Sequence, residues 1–198
     1  TSILRFPLPG GASTAPTAPA SGGGGIAVAD GDFPAALNDG VLFATASAPC
    51  VALDTVSYLA EEHSEPSALF SISSPGGTWV VSGLWAASDR RVVAVTSPSD
   101  GGAFLGIWKE PEQAPSLWLS TISPSIVASL NDTWLVWGSG SQGDGSEMYA
   151  MNWEEEVPRL LGLAPGYSRP VLAPSGSTVL IPGNDGTRPT SWTVGSLG

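Results

Sequence analysis

One cysteine, one histidine and one lysine occur in the 198 residues of this chain, and each scarcity closes off a chemistry. A lone Cys50 allows no intrachain disulfide and is expected to be a small apolar side chain in or near a strand. Together with the single His63 it leaves too few ligands for a zinc site of the usual composition. Nucleophilic catalysis would have one imidazole to draw on. His63 sits in an acidic turn, and no Gly-x-Ser-x-Gly elbow occurs anywhere. No apolar run reaches membrane-spanning length. There is no Met-led signal peptide, and the opening at Thr1 reads as a mature or excised product. Basic side chains are few: seven Lys plus Arg stand against 18 Asp plus Glu, for a net charge of −11. That balance argues against nucleic acid and against anionic membrane surfaces, both of which need cations. It is compatible with cation binding or with a solubilised extracellular surface.

Turn formers and aromatics are abundant instead. With 25 Gly, 18 Pro, eight Trp and 42% hydrophobic residues, the composition predicts an all-β fold with many short strands and aromatic packing between sheets. Two independent markers repeat. A polar turn ahead of a β-rich run recurs at Asp39, Asp89, Asp132 and Ser175-Gly176, at intervals of 50, 43 and 43 residues. A proline after an acidic stretch recurs at Pro66, Pro115 and Pro158, at intervals of 49 and 43. The two stretch and shrink together. Units of this length with about four strands each predict the blades of a β-propeller.

The reading divides the chain into a strand at 1–8, a Gly/Ala/Pro/Ser/Thr-rich linker at 9–25, and blades at about 26–72, 78–122, 124–163 and 168–198. Asn38-Asp39-Gly40 before an apolar run is a hairpin signal. The fourth unit is one strand short, and Ser2–Phe6 resembles the outer strands near Ser67, Ser116 and Pro158. The N-terminal strand is therefore expected to complete the last blade, removing an open edge. Within one molecule this closes the ring. Between molecules it builds a filament, with Ile3, Leu4 and Phe6 as the assembly residues.

Leu130-Asn-Asp-Thr-Trp-Leu-Val-Trp-Gly followed by Gly145-Ser-Glu-Met-Tyr-Ala-Met-Asn-Trp resembles a blade of the TolB-type and WD-like β-propellers. Ala173-Pro-Ser-Gly-Ser-Thr-Val-Leu-Ile is similar to their turn-and-strand signature, with Ser175 in place of the usual Asp. The resemblance spans roughly Ile26 to Gly198. It implies a propeller fold and a scaffold or recognition role, and it transfers no catalytic residue.

Three acidic clusters fall in the turn between the third and fourth strand of a unit: Glu61-Glu62-His63-Ser64-Glu65, Glu110-Pro111-Glu112 and Glu154-Glu155-Glu156. In a propeller such turns share one face with those carrying Asp39, Asp89 and Asp132. Glu61, Glu62, Glu65, Glu154, Glu155 and Glu156 are thus candidate Ca²⁺ ligands, although no calcium-loop spacing occurs; the bland alternative is a solvated rim. Tyr58, Trp108, Trp153 and Trp192 recur near one place in the third strands. They either pack blade on blade or line a sugar groove. Asn131-Asp132-Thr133 is an N-glycosylation sequon on an expected exposed turn, and Ser13, Thr14, Thr17 and Ser21 are O-linked candidates. The functional expectation is a non-enzymatic extracellular scaffold or recognition module, secreted, binding protein or glycan, with neither nucleic acid nor membrane as partner. A polysaccharide hydrolase or lyase using carboxylates on one face is the alternative.

Overall fold

The computed structural model describes residues 2–5, 26–47, 52–60, 65–72, 79–87, 89–97, 101–110, 112–121, 123, 125–141, 145–164, 169–181 and 190–193. Every regular element among them is a strand. Three antiparallel four-stranded sheets follow one another along the chain. The first comprises β3 (Asp32–Ala36), β4 (Gly40–Thr45), β5 (Thr55–Ala60) and β6 (Ser67–Ser71). The second holds β7 (Val80–Ala87), β8 (Arg90–Thr96), β9 (Ala103–Lys109) and β10 (Leu117–Ser120). The third holds β11 (Ile126–Leu130), β12 (Trp134–Ser141), β13 (Gly145–Asn152) and β14 (Arg159–Ala164). A fourth sheet has three strands, β15 (Val171–Leu172), β16 (Thr178–Ile181) and β17 (Thr190–Thr193).

The alternation of each second strand places its side chains in two different cores. In β8, Val92 and Ala94 pack toward the third sheet with Leu105, Leu135 and Trp137, while Val93 and Val95 pack toward the first with Leu42, Ala44 and Val56. In β12, Leu135 and Trp137 face the second sheet and Val136 faces Leu172, Val179 and Ile181 of the fourth. Sheets buried on both faces by their neighbours form a stack, as strand periodicity requires. First strands lie side by side in the series β3, β7, β11, β15, so the stack fans around an axis lined by them.

The opening strand behaves differently from expectation. β1 (Ser2–Arg5) pairs with β2 (Ile26–Asp30) in a two-stranded sheet of its own, with Ser2 opposite Asp30 and Ile3 opposite Ala29. It does not join β17, and residues 26–30 belong to this ribbon rather than to the first blade. Antiparallel pairing of segments close in sequence costs less loop entropy than a return to β17.

Turn chemistry sets the repeat. Leu37 N–H donates to Gly40 O at 2.8 Å and Asn131 N–H to Trp134 O at 3.0 Å, closing two-residue hairpins, and Ala87 opposite Arg90 makes a third. Asp39 and Asp89 therefore occupy the second turn position, whereas Asp132 occupies the first. The fourth hairpin is two residues longer, from Ala173 to Thr178, with Gly176 at φ +90°.

Candidate functional site

Two bulges converge on the axis. Between Asp32 and Ala35 the β3/β4 register slips, and Phe33 takes a φ of +54°. The following Pro34 disfavours the right-handed helical region for Phe33 and offers no N–H to the ladder. A left-handed aromatic residue costs on the order of 1 kcal/mol and must be held by its surroundings. In β7 the register slips between Val81 and Gly83, leaving Ser82 as the extra residue. Bulges re-aim side chains, and both occur where β3 and β7 border one groove.

That groove has a volume of about 470 Å³ and takes its walls from all four sheets. Phe33 is 39% exposed along it, and Val171 of β15 is 54% exposed on the opposite wall. Trp85 contributes to the floor, and the Ser82 hydroxyl is buried with no hydrogen-bond partner among the described residues. Arg169, exposed at the start of the fourth sheet, borders the same space and forms no ion pair among the described residues. Among the described residues the arrangement is a largely apolar trough with one cation and one buried hydroxyl that has no partner.

In the second and third sheets the acidic turn lies beside the first turn of the same sheet. Glu110 N–H donates to Asp89 O at 2.9 Å, and Trp153 N–H donates to Thr133 O at 3.1 Å. Cations meet them there: Lys109 Nζ stands 3.1 Å from Asp89, Arg91 3.0 Å from Glu110, and Arg159 2.6 Å from Glu155. Partial burial works to raise the Asp89 pKa, but the Lys109 ammonium, helped by Arg90, outweighs it and holds the carboxyl below the usual range. Glu154 and Glu156 are exposed, as is Glu65 ahead of β6; Glu61 and Glu62 lie outside the described residues. No group of three or more His, Cys, Asp and Glu is placed to hold a metal among the described residues.

Asn131 is a correction. It is 4% exposed, not the solvent-facing sequon residue expected. Its Oδ1 accepts from Thr133 N–H (2.9 Å) and Trp134 N–H (2.8 Å), and its Nδ2 donates to Ala173 O (2.8 Å) and Gly176 O (3.1 Å). All four capacities of the amide are used, and they fasten the third sheet to the fourth. The O-linked candidates Ser13, Thr14, Thr17 and Ser21 lie outside the described residues, as do Phe6, Cys50 and His63.

The third-strand aromatics pack. Trp108, 1% exposed, meets Phe70 of the first sheet edge-on, ring centroids 5.5 Å apart at 89°. Trp153 donates Nε1–H to Asn131 O at 2.7 Å under the Arg90 guanidinium, and the Tyr58 hydroxyl donates to Asp39 O at 3.1 Å. Two of these rings thus anchor the backbone of the first turn in their own sheet. Trp192 lies in β17, where its side chain is not described.

No family model matches the chain, and no curated protein matches it in sequence. Solved structures do match in shape. TolB from Acinetobacter baumannii superposes with a TM-score of 0.56 at 8% identity, over 89% of this chain and 45% of that one. The fold is β-propeller-like. A prolyl endopeptidase matches with a TM-score of 0.52 at 14% identity, over 79% of this chain and 24% of the enzyme. The propeller-like chain therefore spans less than half the length of either neighbour. At these identities the likeness speaks to fold alone. Sequence reasoning missed the axial groove, although a Phe-Pro pair inside a strand pattern is a bulge signal.

Proposed function

We propose that this chain is a non-catalytic recognition module built from TolB-type propeller blades, which holds a segment of a partner protein in its axial groove. The observation that carries the reading is the convergence of two bulged inner strands on one trough. Phe33 is held there at positive φ, facing a space bordered by Arg169 and the Ser82 hydroxyl, neither of which has a partner among the described residues. An exposed apolar wall with a single cation fits a peptide that carries one carboxylate among apolar side chains. The acidic, lysine-poor composition supports placing the module outside the cell. Self-polymerisation through residues 2–5 is not part of the proposal, because those residues pair with β2.

Titrating isotope-labelled protein with capped apolar peptides that carry or lack one glutamate tests the reading. Amide shifts should cluster at Phe33, Ser82 and Arg169, only for the acid-bearing peptides. Arg169→Glu should weaken binding by about tenfold or more, the worth of one charge-assisted contact. Equal response to both peptide classes, or shifts scattered over the surface, would remove the proposal.

A further inference from the structure

The outer edges of the three complete sheets are not alike. In the first sheet the register of β5 and β6 slips between Val56 and Ser57, leaving Leu69 unmatched. The third slips between Met148 and Tyr149, leaving Leu161 unmatched beside Gly162 at φ +146°. Such bulges spoil an edge as a template for another strand. Among these three, only the second sheet keeps one register along its whole rim strand, Leu117 opposite Ile107, Trp118 opposite Gly106, Leu119 opposite Leu105 and Ser120 opposite Phe104; its irregularity falls just ahead, where Ser116 N–H donates to Ile107 O at 3.0 Å. Its rim strand, Leu-Trp-Leu-Ser, carries no charge and no proline.

Hydrogen-bond phase shows what that rim offers. Thr121 N–H donates to Ala103 O at 3.0 Å, which makes 121 and 103 a bonded pair. Alternation then directs the main chain of Leu117 and Leu119 toward β9, and that of Trp118 and Ser120 outward. The Trp118 indole turns to the far side of the sheet, over Gly106, where an added Cβ would stand 2.8 Å from it. Leu117 and Leu119 pack into the core shared with the third sheet. Residues Trp118 to Thr121 border the cleft of about 220 Å³ between the second and third sheets. The floor of the cleft is an aromatic pair, Trp137 stacked on Tyr149 with centroids 5.4 Å apart at 16°, next to Pro158.

We propose that the β10 rim is a strand-docking edge that takes an extended segment of another protein, apolar on the side facing Trp137 and Tyr149 and basic on alternate residues. Charge selects this occupant. No cation lines the cleft, the chain carries a net charge of −11, and Glu112 stands exposed just ahead of β10, accepting a hydrogen bond from the Ser116 hydroxyl at 2.8 Å. Two copies meeting edge to edge would each bring a net charge of −11 and no cation to the seam. An added strand would gain main-chain bonds to Trp118 and Ser120, while its apolar residues cover the aromatic floor. This edge is separate from the axial groove, so either proposal can fail alone.

The probe is a short capped peptide alternating valine and lysine, titrated into the isotope-labelled full chain. Amide signals of Trp118 and Ser120 should shift and gain protection from hydrogen exchange. Methylating the peptide's nitrogens on one edge should weaken binding by about tenfold or more, as loss of the main-chain bonds requires. Ser120→Pro should do the same while Ser120→Ala does not, since the Ser120 N–H points away from β9 and its loss leaves the sheet ladder intact. Should Ser120→Pro not fold, the methylated peptide still decides. Absence of binding, equal binding of the methylated peptide, or shifts away from β10 would overturn the inference. So would concentration-dependent dimerisation through Trp118 and Ser120 in the peptide-free protein.

Discussion

The joint between the first and second sheets and the joint between the third and fourth are made from different materials. At the former, Trp108 meets Phe70 edge-on, Trp79 meets Phe104 at 5.3 Å, and aliphatic side chains from β4 and β8 fill the remainder. At the latter the core among the described residues is smaller, built on Val136, Met148, Val179 and Ile181, and directed hydrogen bonds supplement it. Asn131 reaches Ala173 and Gly176, and the Ser129 hydroxyl accepts Leu172 N–H at 3.0 Å. The reason is the length of β15. A two-residue strand has little ladder and little apolar surface, so side chains of the preceding sheet take over its alignment. Shape complementarity holds one joint; amide and hydroxyl chemistry holds the other.

Substitutions at the two joints should separate these mechanisms. Trp108→Ala empties the largest fully buried side chain among the described residues and is expected to cost about 3–5 kcal/mol of global stability, read by denaturant unfolding. Its Nε1–H has no partner among the described residues, so Trp108→Phe should cost clearly less. Asn131→Ala strands two N–H and two C=O groups and should cost about 2–4 kcal/mol, with a local signature. Exchange protection should fall at Leu172 and Val179 while β8 stays protected. Uniform loss of protection from Asn131→Ala would show that the fourth sheet is not a separately fastened unit.

The smallest effect concerns acid. Asp89 and Asp54 both have depressed carboxyl pKa values. Burial opposes this in each case. Lys109 and Arg90 overcome it at Asp89, and the Ser47 hydroxyl and N–H with Thr55 overcome it at Asp54. A carboxyl with a lowered folded-state pKa stabilises the fold above its unfolded value, about 3.9, and that contribution disappears as pH falls through the folded value. Thermal midpoints should therefore decline below about pH 4. Lys109→Met should flatten part of that decline, by no more than about 1 kcal/mol for so exposed a pair. An unchanged acid profile would show that the Lys109–Asp89 contact is idle in solution.

Strands were legible in the residues because the apolar runs and turn signals are strong. Phe33–Leu37 and Thr178–Ile181 fall within one residue of β3 and β16, and the aromatic packing of Trp108 follows from its place in a repeat. What escaped depends on one-residue offsets. Asp39 and Asp132 look equivalent in sequence, yet the hairpin bonds put them at different turn positions, and this frees Asn131 to turn inward. The slips at Phe33 and Ser82, which create the axial trough, also shift one residue each and leave the apolar pattern nearly unchanged. Pairing of Ser2–Arg5 with its near neighbour depends on loop closure, which composition does not encode.

The two-faced burial of β8 carries a consequence for how the second sheet finds its alignment. Val92, Val93, Ala94 and Val95 present nearly the same grease to either side, so sliding the strand by one position would expose no polar group and incur almost no solvation penalty. Alignment must be dictated from the strand's end. Asp89, clasped by Lys109, and buried Arg91, gripping Glu110, can both be matched in only one alignment of β8 against β9. On this view the charged rim acts as a ratchet pawl for an otherwise slippery ladder.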